Sequence, residues 1–207
     1  MKSLFKQIVK NTIYILGIIP ANVYLVWEKL QRIYLNERTS KKFRFCGYGL
    51  SLTPPLFLMN KHYMQIGNNF FSQPGLRMEC IVEYNNIKYN PLLVIGNNVS
   101  INFYCHIGCL NKIYIGDNVM IGSHVLIEDH SHGTIQEIET PVAKRNLHSK
   151  GPIIIEDNVW IGENVCILEN VTIGRCSIIG ANAVVTHNIP PYSVAVGAPA
   201  KVVKSIH

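Results

Sequence analysis

The hydrophobic residues between Ile155 and Ile189 recur with a period of six. In blocks of six, each block begins with an aliphatic residue, and these residues are Ile155, Ile161, Ile167, Ile173, Ile179 and Val185. An amphipathic helix would need apolar residues at intervals of three and four, and a half-buried strand would need every second residue. Because neither period fits, the repeating structural unit is a block of six residues.

The fourth position of these blocks shows how each one ends. Asparagine recurs there, at Asn158, Asn164, Asn170, Asn182 and Asn188. Asparagine tolerates the left-handed backbone region better than other non-glycine residues, so each block is predicted to be a short strand that ends at a corner. Three blocks would close one triangular coil, with the first-position residues inside and successive coils stacked at strand spacing.

The same period is visible earlier in the chain. Regular blocks begin at Ile95, and their phase slips by two residues at Ile113 and Tyr114. We interpret the slip as a bulge or a widened corner. Residues 66–70 already resemble a block with an asparagine corner, and residues 76–86 alternate like a strand that ends in a turn. Irregular first coils are therefore predicted ahead of the regular ones.

The repeat is interrupted once, after the block that begins at Ile127. Residues 128–154 show no repeat, and an unpatterned loop of this length in a compact domain usually has a function. Beyond the last blocks, residues 190–207 read as an extended segment, a tight turn and a short basic end. We therefore predict a β-helical domain over residues 46–207, with a protruding loop and a C-terminal extension.

Residues 1–45 lack the repeat and are predicted to be a helical segment. Their apolar run, from Ile13 to Trp27, is flanked by basic residues. It is shorter than the roughly 20 residues that span a bilayer, and Pro20 interrupts it, so no transmembrane helix is predicted. Two interpretations remain open. One is a pair of amphipathic helices that pack on the domain or on a neighbouring subunit, and the other is peripheral membrane contact through residues 1–35.

The composition limits the class of protein. Of the 207 residues, 48% are hydrophobic and 15% are charged, which argues against long disordered regions. The net charge of +6 favours anionic partners such as phosphates, acidic glycans or a membrane surface, and no nucleic-acid partner is expected. The cysteines lack zinc-type pairing, and we interpret them as reduced thiols of a cytoplasmic protein. They are Cys46, Cys80, Cys105, Cys109, Cys166 and Cys176.

Several ordered motifs carry a family resemblance over roughly residues 96–204. In chain order they are INFYC, IGDNVMIG, DHSHG, IEDNVWIGENVCI, IGANAVVT and IPPYSVAVGAPAKVVK. The chain resembles the hexapeptide-repeat acyltransferases, and among them the maltose, galactoside and nodulation-factor O-acetyltransferases. The resemblance implies a left-handed parallel β-helix. It also implies a homotrimer whose active sites lie in grooves between subunits, with acetyl-CoA along the coil and the acceptor near the loop.

The loop contains two candidates for a general base, His130 and His132. An acceptor hydroxyl must lose its proton as it attacks, and neutral imidazole suits that task near pH 7. In the maltose and galactoside branch the catalytic histidine is the sixth residue of the corresponding block, which is His132 here. Serine acetyltransferases instead have an Asp-His pair near Asp129 and His130. We prefer His132, oriented by Asp129 or Glu128.

The resemblance also implies a track for acetyl-CoA on the outside of the coil. Trp160 stands where the family has a tryptophan beside the pantetheine arm, and a side chain of that size has no room inside a narrow triangular coil. The other residues implied to contact the cofactor are Gly162, Gly180, Ala181, Thr186, Lys201 and Lys204. Corner geometry explains the glycines equally well, and solvated surface positions explain the lysines. His187 stands where the family commonly has a lysine.

The acceptor side departs from the family pattern. Asn102 matches a family asparagine, but Tyr104 stands where another asparagine commonly helps to hold the acceptor. We predict direct, acetyl-CoA-dependent O-acetylation of a sugar hydroxyl in surface polysaccharide biosynthesis, without a metal.

Three alternative functions remain open. The first is acetyl transfer to serine or to an amino sugar. The second is a γ-type carbonic anhydrase with zinc on His106, His130 and His132. The third is a non-catalytic solenoid.

Overall fold

The computed structural model describes residues 7, 12 and 21–205. The chain divides into two compact units, residues 1–37 and residues 38–207. Helix α1 (Ala21–Ser40) carries apolar side chains that are more than half exposed. They are Val23, Leu25, Val26, Trp27, Leu30, Ile33 and Tyr34. No helix within the described residues is long and apolar enough to cross a membrane.

Of the predicted apolar run Ile13–Trp27, residues 13–20 lie outside the described part of the chain, and residues 21–27 belong to α1. Membrane contact through residues 1–35 therefore stays a prediction.

After α1 the chain forms many short strands, most of two to four residues. In chain order they are β1 (Phe45–Cys46), β2 (Ser51–Leu52), β3 (Phe57–Met59), β4 (Met64–Ile66), β5 (Phe71–Ser72), β6 (Arg77–Cys80), β7 (Glu83–Tyr84), β8 (Ile87–Lys88), β9 (Leu92–Ile95), β10 (Ser100–Ile101), β11 (His106–Cys109), β12 (Lys112–Ile115), β13 (Met120–Ile121), β14 (Leu126–Glu128), β15 (Ser131–His132), β16 (Leu147–His148), β17 (Ile153–Ile155), β18 (Trp160–Ile161), β19 (Cys166–Ile167), β20 (Thr172–Ile173), β21 (Ile178–Ile179), β22 (Val184–Val185), β23 (Ser193–Val196) and β24 (Lys201–Ser205). Short 3₁₀ helices cover Lys61–Tyr63, Ile135–Glu137 and Val142–Lys144.

The strands of the repeat build three sheets, because every third strand returns to the same sheet. Sheet A has the order β1-β4-β9-β12-β17-β20, sheet B the order β2-β5-β10-β13-β18-β21-β23-β24, and sheet C the order β22-β19-β14-β11-β6-β3. All pairs within them are parallel except β23 with β24. The chain therefore climbs as a triangular coil, and the mainly β architecture predicted from the period of six is confirmed.

The interior of the coil is a ladder of aliphatic side chains. Ile155 is in register with Ile173, and Ile161 with Ile179, so identical side chains stack on one another in successive coils. All six first-position residues between 155 and 185 are fully buried, as are the fifth-position residues 159, 165, 171, 177 and 183. The predicted core is confirmed. Its burial is the dominant stabilising contribution, at about 25 cal/mol per Å² of apolar surface.

The corners largely follow the asparagine pattern. Asn158, Asn164, Asn170 and Asn182 have φ between 56° and 60°, in the left-handed region as predicted. The prediction is wrong for Asn188, which is outside that region. Its side-chain Oδ1 instead accepts a hydrogen bond of 2.7 Å from the backbone N–H of Thr172, at the point where the chain leaves the repeat. Corners at residues 104, 124, 176 and 192 use Tyr, His, Cys and Tyr with similar φ.

The two-residue slip is a widened corner. Strands β11 and β12 pair with their neighbours in continuous register, so neither contains a bulge. The two extra residues, Leu110 and Asn111, lie in the turn between them. Their backbone N–H groups need acceptors, and these come from the loop described below.

Three segments depart from the coil. Strands β7 and β8 form an antiparallel hairpin around Asn85 and Asn86, whose positive φ values of 50° and 63° fit a two-residue hairpin turn. The loop between β14 and β17 contains the β15–β16 hairpin and two 3₁₀ turns, so it is more ordered than its sequence indicates. The C-terminal extension folds back as β24, which pairs antiparallel with β23 and adds a strand to sheet B.

Candidate active site

A groove of about 430 Å³ runs along the outer surface where sheet B turns towards sheet C. Its floor is apolar because Met120, Trp160 and Ile178 face outward in register from β13, β18 and β21. Trp160 is 53% exposed, so its ring is available to a ligand. The other lining residues are Asn102, Gly122, Gly162, Glu163, Ile179, Gly180 and Ala181.

A column of glycines forms one border of the groove, immediately after the strands of sheet B. A Cβ atom at Gly122 would lie 2.8 Å from the backbone nitrogen of Glu163, and one at Gly162 would lie 2.7 Å from that of Ala181. Glycine is therefore required for the coils to stack this closely. Because glycine has no side chain, the backbone at this border is also open to a ligand. Close stacking of the coils and access for a ligand are therefore both consistent with the glycines.

The groove brings together much of the predicted cofactor track. Trp160, Gly162, Gly180 and Ala181 line it, and Asn102, predicted for the acceptor, lies at the same border. Met120, Gly122 and Ile178 were missed by sequence reasoning. The repeat could have identified them. Met120 and Ile178 occupy the block position of Trp160 one coil earlier and one coil later, and Gly122 occupies that of Gly162 one coil earlier.

The remaining predicted cofactor residues lie elsewhere. Thr186 follows β22 of sheet C, and its Oγ1 lies 2.8 Å from Nδ1 of His187. Lys201 and Lys204 are exposed in β24, on the continuation of sheet B beyond the last strand of the groove.

Tyr104 occupies an exposed corner, where its ring stacks on His124 with centroids 5.4 Å apart and planes 14° from parallel. It is outside the lining of the groove as the described residues define it.

The histidine loop leaves the coil after β14, on the opposite side of sheet C from the groove. His130 is buried at its start, with its side chain 5% exposed. Its Nε2 lies 3.4 Å from a carboxylate oxygen of Glu128, and its Nδ1 lies 3.4 Å from one of Asp129. The ring packs over Gly108, where a Cβ atom would lie 3.2 Å from Cε1. His130 is therefore enclosed by two carboxylates and by the coil.

Asp129 is fully buried and supports the widened corner. Its Oδ1 accepts a hydrogen bond of 2.7 Å from the N–H of Leu110, and its Oδ2 accepts one of 2.9 Å from the N–H of Asn111. Buried backbone N–H groups require such partners. The carboxylate that was predicted to orient the base thus ties the start of the loop to the coil, and its histidine contact is with His130.

His132 is exposed and lies in β15, opposite Leu147 of β16. Its ring meets the ring of Tyr84 edge to face, with centroids 5.6 Å apart and planes at 73°. Tyr84 belongs to the β7–β8 hairpin and was not singled out by sequence reasoning, because it is nearly fifty residues away in a segment without a motif.

A row of charged side chains lies on the outer face of sheet C. Arg77 donates hydrogen bonds of 2.8 and 2.9 Å to Glu79, and a carboxylate oxygen of Glu79 lies 3.4 Å from Nε2 of His106. Burial, together with the charge of Arg77, lowers the pKa of His106. Within the described residues, no three His, Cys, Asp or Glu side chains group together as ligands for a metal ion.

Comparison with known proteins defines the family. Residues 152–187 match the model of the bacterial transferase hexapeptide family (six repeats). The chain is 33% identical over 156 residues to the putative lipopolysaccharide biosynthesis O-acetyl transferase WbbJ of Escherichia coli, covering 72% of this chain and 76% of that protein. It is also 33% identical over 150 residues to the galactoside O-acetyltransferase of Escherichia coli, covering 72% and 68%.

Among solved structures, AntD shows the same fold. AntD is an N-acyltransferase from Bacillus cereus, crystallised with dTDP and 3-hydroxybutyryl-CoA. It matches with a TM-score of 0.66 at 20% identity, over 82% of this chain and 86% of that one.

These similarities define the chain as a hexapeptide-repeat transferase, with the left-handed parallel β-helix that was predicted. Within that class it belongs to the acetyltransferases, in agreement with the resemblance of its motifs.

Proposed function

We propose that this protein transfers an acetyl group from acetyl-CoA to a sugar hydroxyl during the synthesis of a surface polysaccharide. The observation that carries the proposal is the groove, because it gathers Trp160, Gly162, Gly180 and Ala181 on one surface. The names of two relatives support the acceptor class, since one is a putative lipopolysaccharide biosynthesis O-acetyl transferase and the other a galactoside O-acetyltransferase.

The groove suits the pantetheine arm of acetyl-CoA. Its floor is apolar at Met120, Trp160 and Ile178, and its glycine border leaves backbone groups open to a narrow, flexible chain. Lys201 and Lys204 lie in β24, which extends the same sheet beyond the groove, and we propose that they bind the phosphorylated end of the cofactor. The cofactor supplies the thioester, and the protein supplies the surface along which it lies.

His132 is the proposed general base. A base must contact the acceptor hydroxyl, and the His132 side chain is exposed whereas that of His130 is 5% exposed between two carboxylates. In the proposed reaction Nε2 or Nδ1 of His132 takes the hydroxyl proton as the oxygen attacks the thioester carbonyl. The C–S bond then breaks, and the imidazolium returns the proton to the leaving thiolate.

Two buried thiols, Cys105 near the groove border and Cys109 near the loop, do not favour a cysteine acyl-enzyme. Burial raises the pKa of Cys105 to about 11, and its Sγ is engaged with the carbonyl oxygen of Gly122 at 3.0 Å. A hydrogen bond with Cys80 and burial both raise the pKa of Cys109. Thiols held in the protonated form are poor nucleophiles, which favours direct transfer.

The proposed acetyl transfer can be tested by CoA release. We expect the wild-type protein to release CoA from acetyl-CoA with a nucleotide sugar, a lipid-linked oligosaccharide or a simple sugar as acceptor. Ala181→Trp should abolish release, because the new indole would occupy the groove, and the conservative Ala181→Ser should retain it. Serine and amino sugars belong in the same panel. Release with only those acceptors would contradict sugar O-acetylation, and equal activity of Ala181→Trp would contradict the groove assignment.

The active site is proposed to be shared between subunits of a homotrimer. The lining of the groove, taken over the described residues, includes neither His130 nor His132, which lie beyond sheet C. One chain therefore presents the donor groove and the base on different surfaces. A rotational trimer would place the groove of one subunit against the loop of the next.

Mixing two inactive variants tests this arrangement. Ala181→Trp and His132→Ala each disable one half of the site, so mixed trimers contain interfaces with one intact groove and one intact histidine. We expect activity to return when the two proteins are unfolded and refolded together, but not when they are combined without subunit exchange. Absence of activity in verified mixed trimers would place both halves of the site on the same subunit.

A further inference from the structure

The β7–β8 hairpin lies outside the repeat and contributes nothing to the interior of the coil. It is inserted between β6 of sheet C and β9 of sheet A, and most of its residues, including Asn85 and Ile87, are exposed. An isolated two-stranded hairpin is only marginally stable in water. Its position must therefore be maintained by contacts with another part of the protein, and the contacts observed are with the histidine loop.

The hairpin holds the loop through hydrogen bonds to its backbone. Tyr84 Oη and Asn85 Nδ2 each donate to the carbonyl oxygen of Ala143 at 3.4 Å. Asn85 Nδ2 also donates to the carbonyl oxygen of Arg145 at 3.1 Å. Tyr89 Oη, just after the hairpin, donates to that of Leu147 at 3.2 Å. These contacts reach the second 3₁₀ turn of the loop and strand β16.

The same contacts converge on His132. Leu147, whose carbonyl accepts from Tyr89, is the cross-strand partner of His132 in the β15–β16 pair. Tyr84 touches His132 directly, ring edge to ring face. The backbone of the histidine is thus held through β16, and its ring is held by Tyr84.

An exposed imidazole without such a neighbour would populate several rotamers, and only some of them would point at an acceptor. We therefore infer that the β7–β8 hairpin is a brace for the histidine loop, and that Tyr84 is a positioning residue that orients the imidazole of His132. This inference rests on the proposed role of His132 as the base.

Three variants of the hairpin test the brace. Tyr84→Ala should lower kcat roughly 3- to 10-fold, the range expected for loss of an edge-to-face aromatic pair, with KM for acetyl-CoA unchanged. Tyr84→Phe keeps the ring contact and loses only the long hydrogen bond, so its kcat should stay within about twofold of wild type. Ile87→Ala is the matched control, because Ile87 is the cross-strand partner of Tyr84 and is 40% exposed. It should behave as wild type.

A second measurement reads the contact without using activity. In the full-length protein with labelled histidine, the ring protons of His132 should carry a ring-current shift that Tyr84→Ala removes and Tyr84→Phe preserves.

Wild-type kcat in Tyr84→Ala, or no change in the His132 resonances, would overturn the brace. An equal loss of kcat in Ile87→Ala would overturn the specific role of the Tyr84 ring in orienting His132. Full activity of His132→Ala would instead overturn the base assignment, and with it the catalytic role of Tyr84. The resonance shift would then still report whether the ring contact exists.

Discussion

His132→Ala should lower kcat by about 10²- to 10⁴-fold, the usual contribution of a general base, while the affinity for acetyl-CoA stays unchanged. The reason is geometric, since His132 is exposed at the loop and is not part of the groove that is proposed to hold the cofactor. Steady-state CoA release gives kcat, and calorimetric titration with CoA gives the affinity.

Two further histidine variants make that result interpretable. His62→Ala is the matched control, because His62 is exposed in the 3₁₀ turn of residues 61–63 and is not part of the loop, and this variant should keep full activity. His130→Ala removes a buried ring between two carboxylates and should lower stability more than the exposed substitutions do. A large loss of kcat in His130→Ala with none in His132→Ala would transfer the role of base to His130. Full activity in both would remove the histidine mechanism altogether.

Asp129→Asn should destabilise the fold by about 3 kcal/mol, although it changes only one atom of the side chain. The carboxylate accepts from the N–H groups of both Leu110 and Asn111, and an amide has one oxygen to offer them. The other N–H would face an NH₂ donor in a site that is fully buried. The loss of stability is measured by chemical denaturation at a fixed protein concentration, since the proposed subunit association would contribute to the apparent value.

Asp157→Asn is the control for this substitution. Asp157 also accepts a corner N–H, from Asp117 at 2.8 Å, but it is exposed, so water can replace the lost acceptor. Its cost should be below about 1 kcal/mol. If the two variants lost the same stability, burial of Asp129 would not be what makes its hydrogen bonds important. We also expect Asp129→Asn to lower kcat, because His132 follows three residues later on the segment that Asp129 anchors.

The fold was predictable because its information is local and repeated. Each block contains the residues that specify its own strand, its interior residue and, with Asn158 or Asn164, its corner. A wrong prediction for one block therefore does not affect the prediction for the next. Asn188 illustrates the limit. It stands at the same block position, but the next residues leave the repeat, and its side chain caps Thr172 instead of forming a left-handed corner. The left-handed coiling came from family motifs, because a period of six is equally compatible with either hand.

The residues predicted to contact the cofactor lie together to the extent that they belong to the repeat. Trp160, Gly162, Gly180 and Ala181 meet in one groove because parallel register places equivalent block positions above one another. Asp129 was expected to serve the base, yet its carboxylate binds the backbone of a corner that precedes it by nearly twenty residues. The residues that surround Asp129 in the sequence do not predict that contact.

The period of six in this sequence is enough to specify the strands, the interior and the outward position of the groove residues, because each of these depends on the residue's place in its own block. Three other features depend on how the histidine loop packs against the widened corner and the β7–β8 hairpin. They are the difference in exposure between His130 and His132, the anchoring of the loop by Asp129 and the contact of Tyr84 with His132. This packing depends on loop lengths and on side chains from segments that are distant in the chain. Such contacts exist only once the coil has stacked the insertions on the same edge.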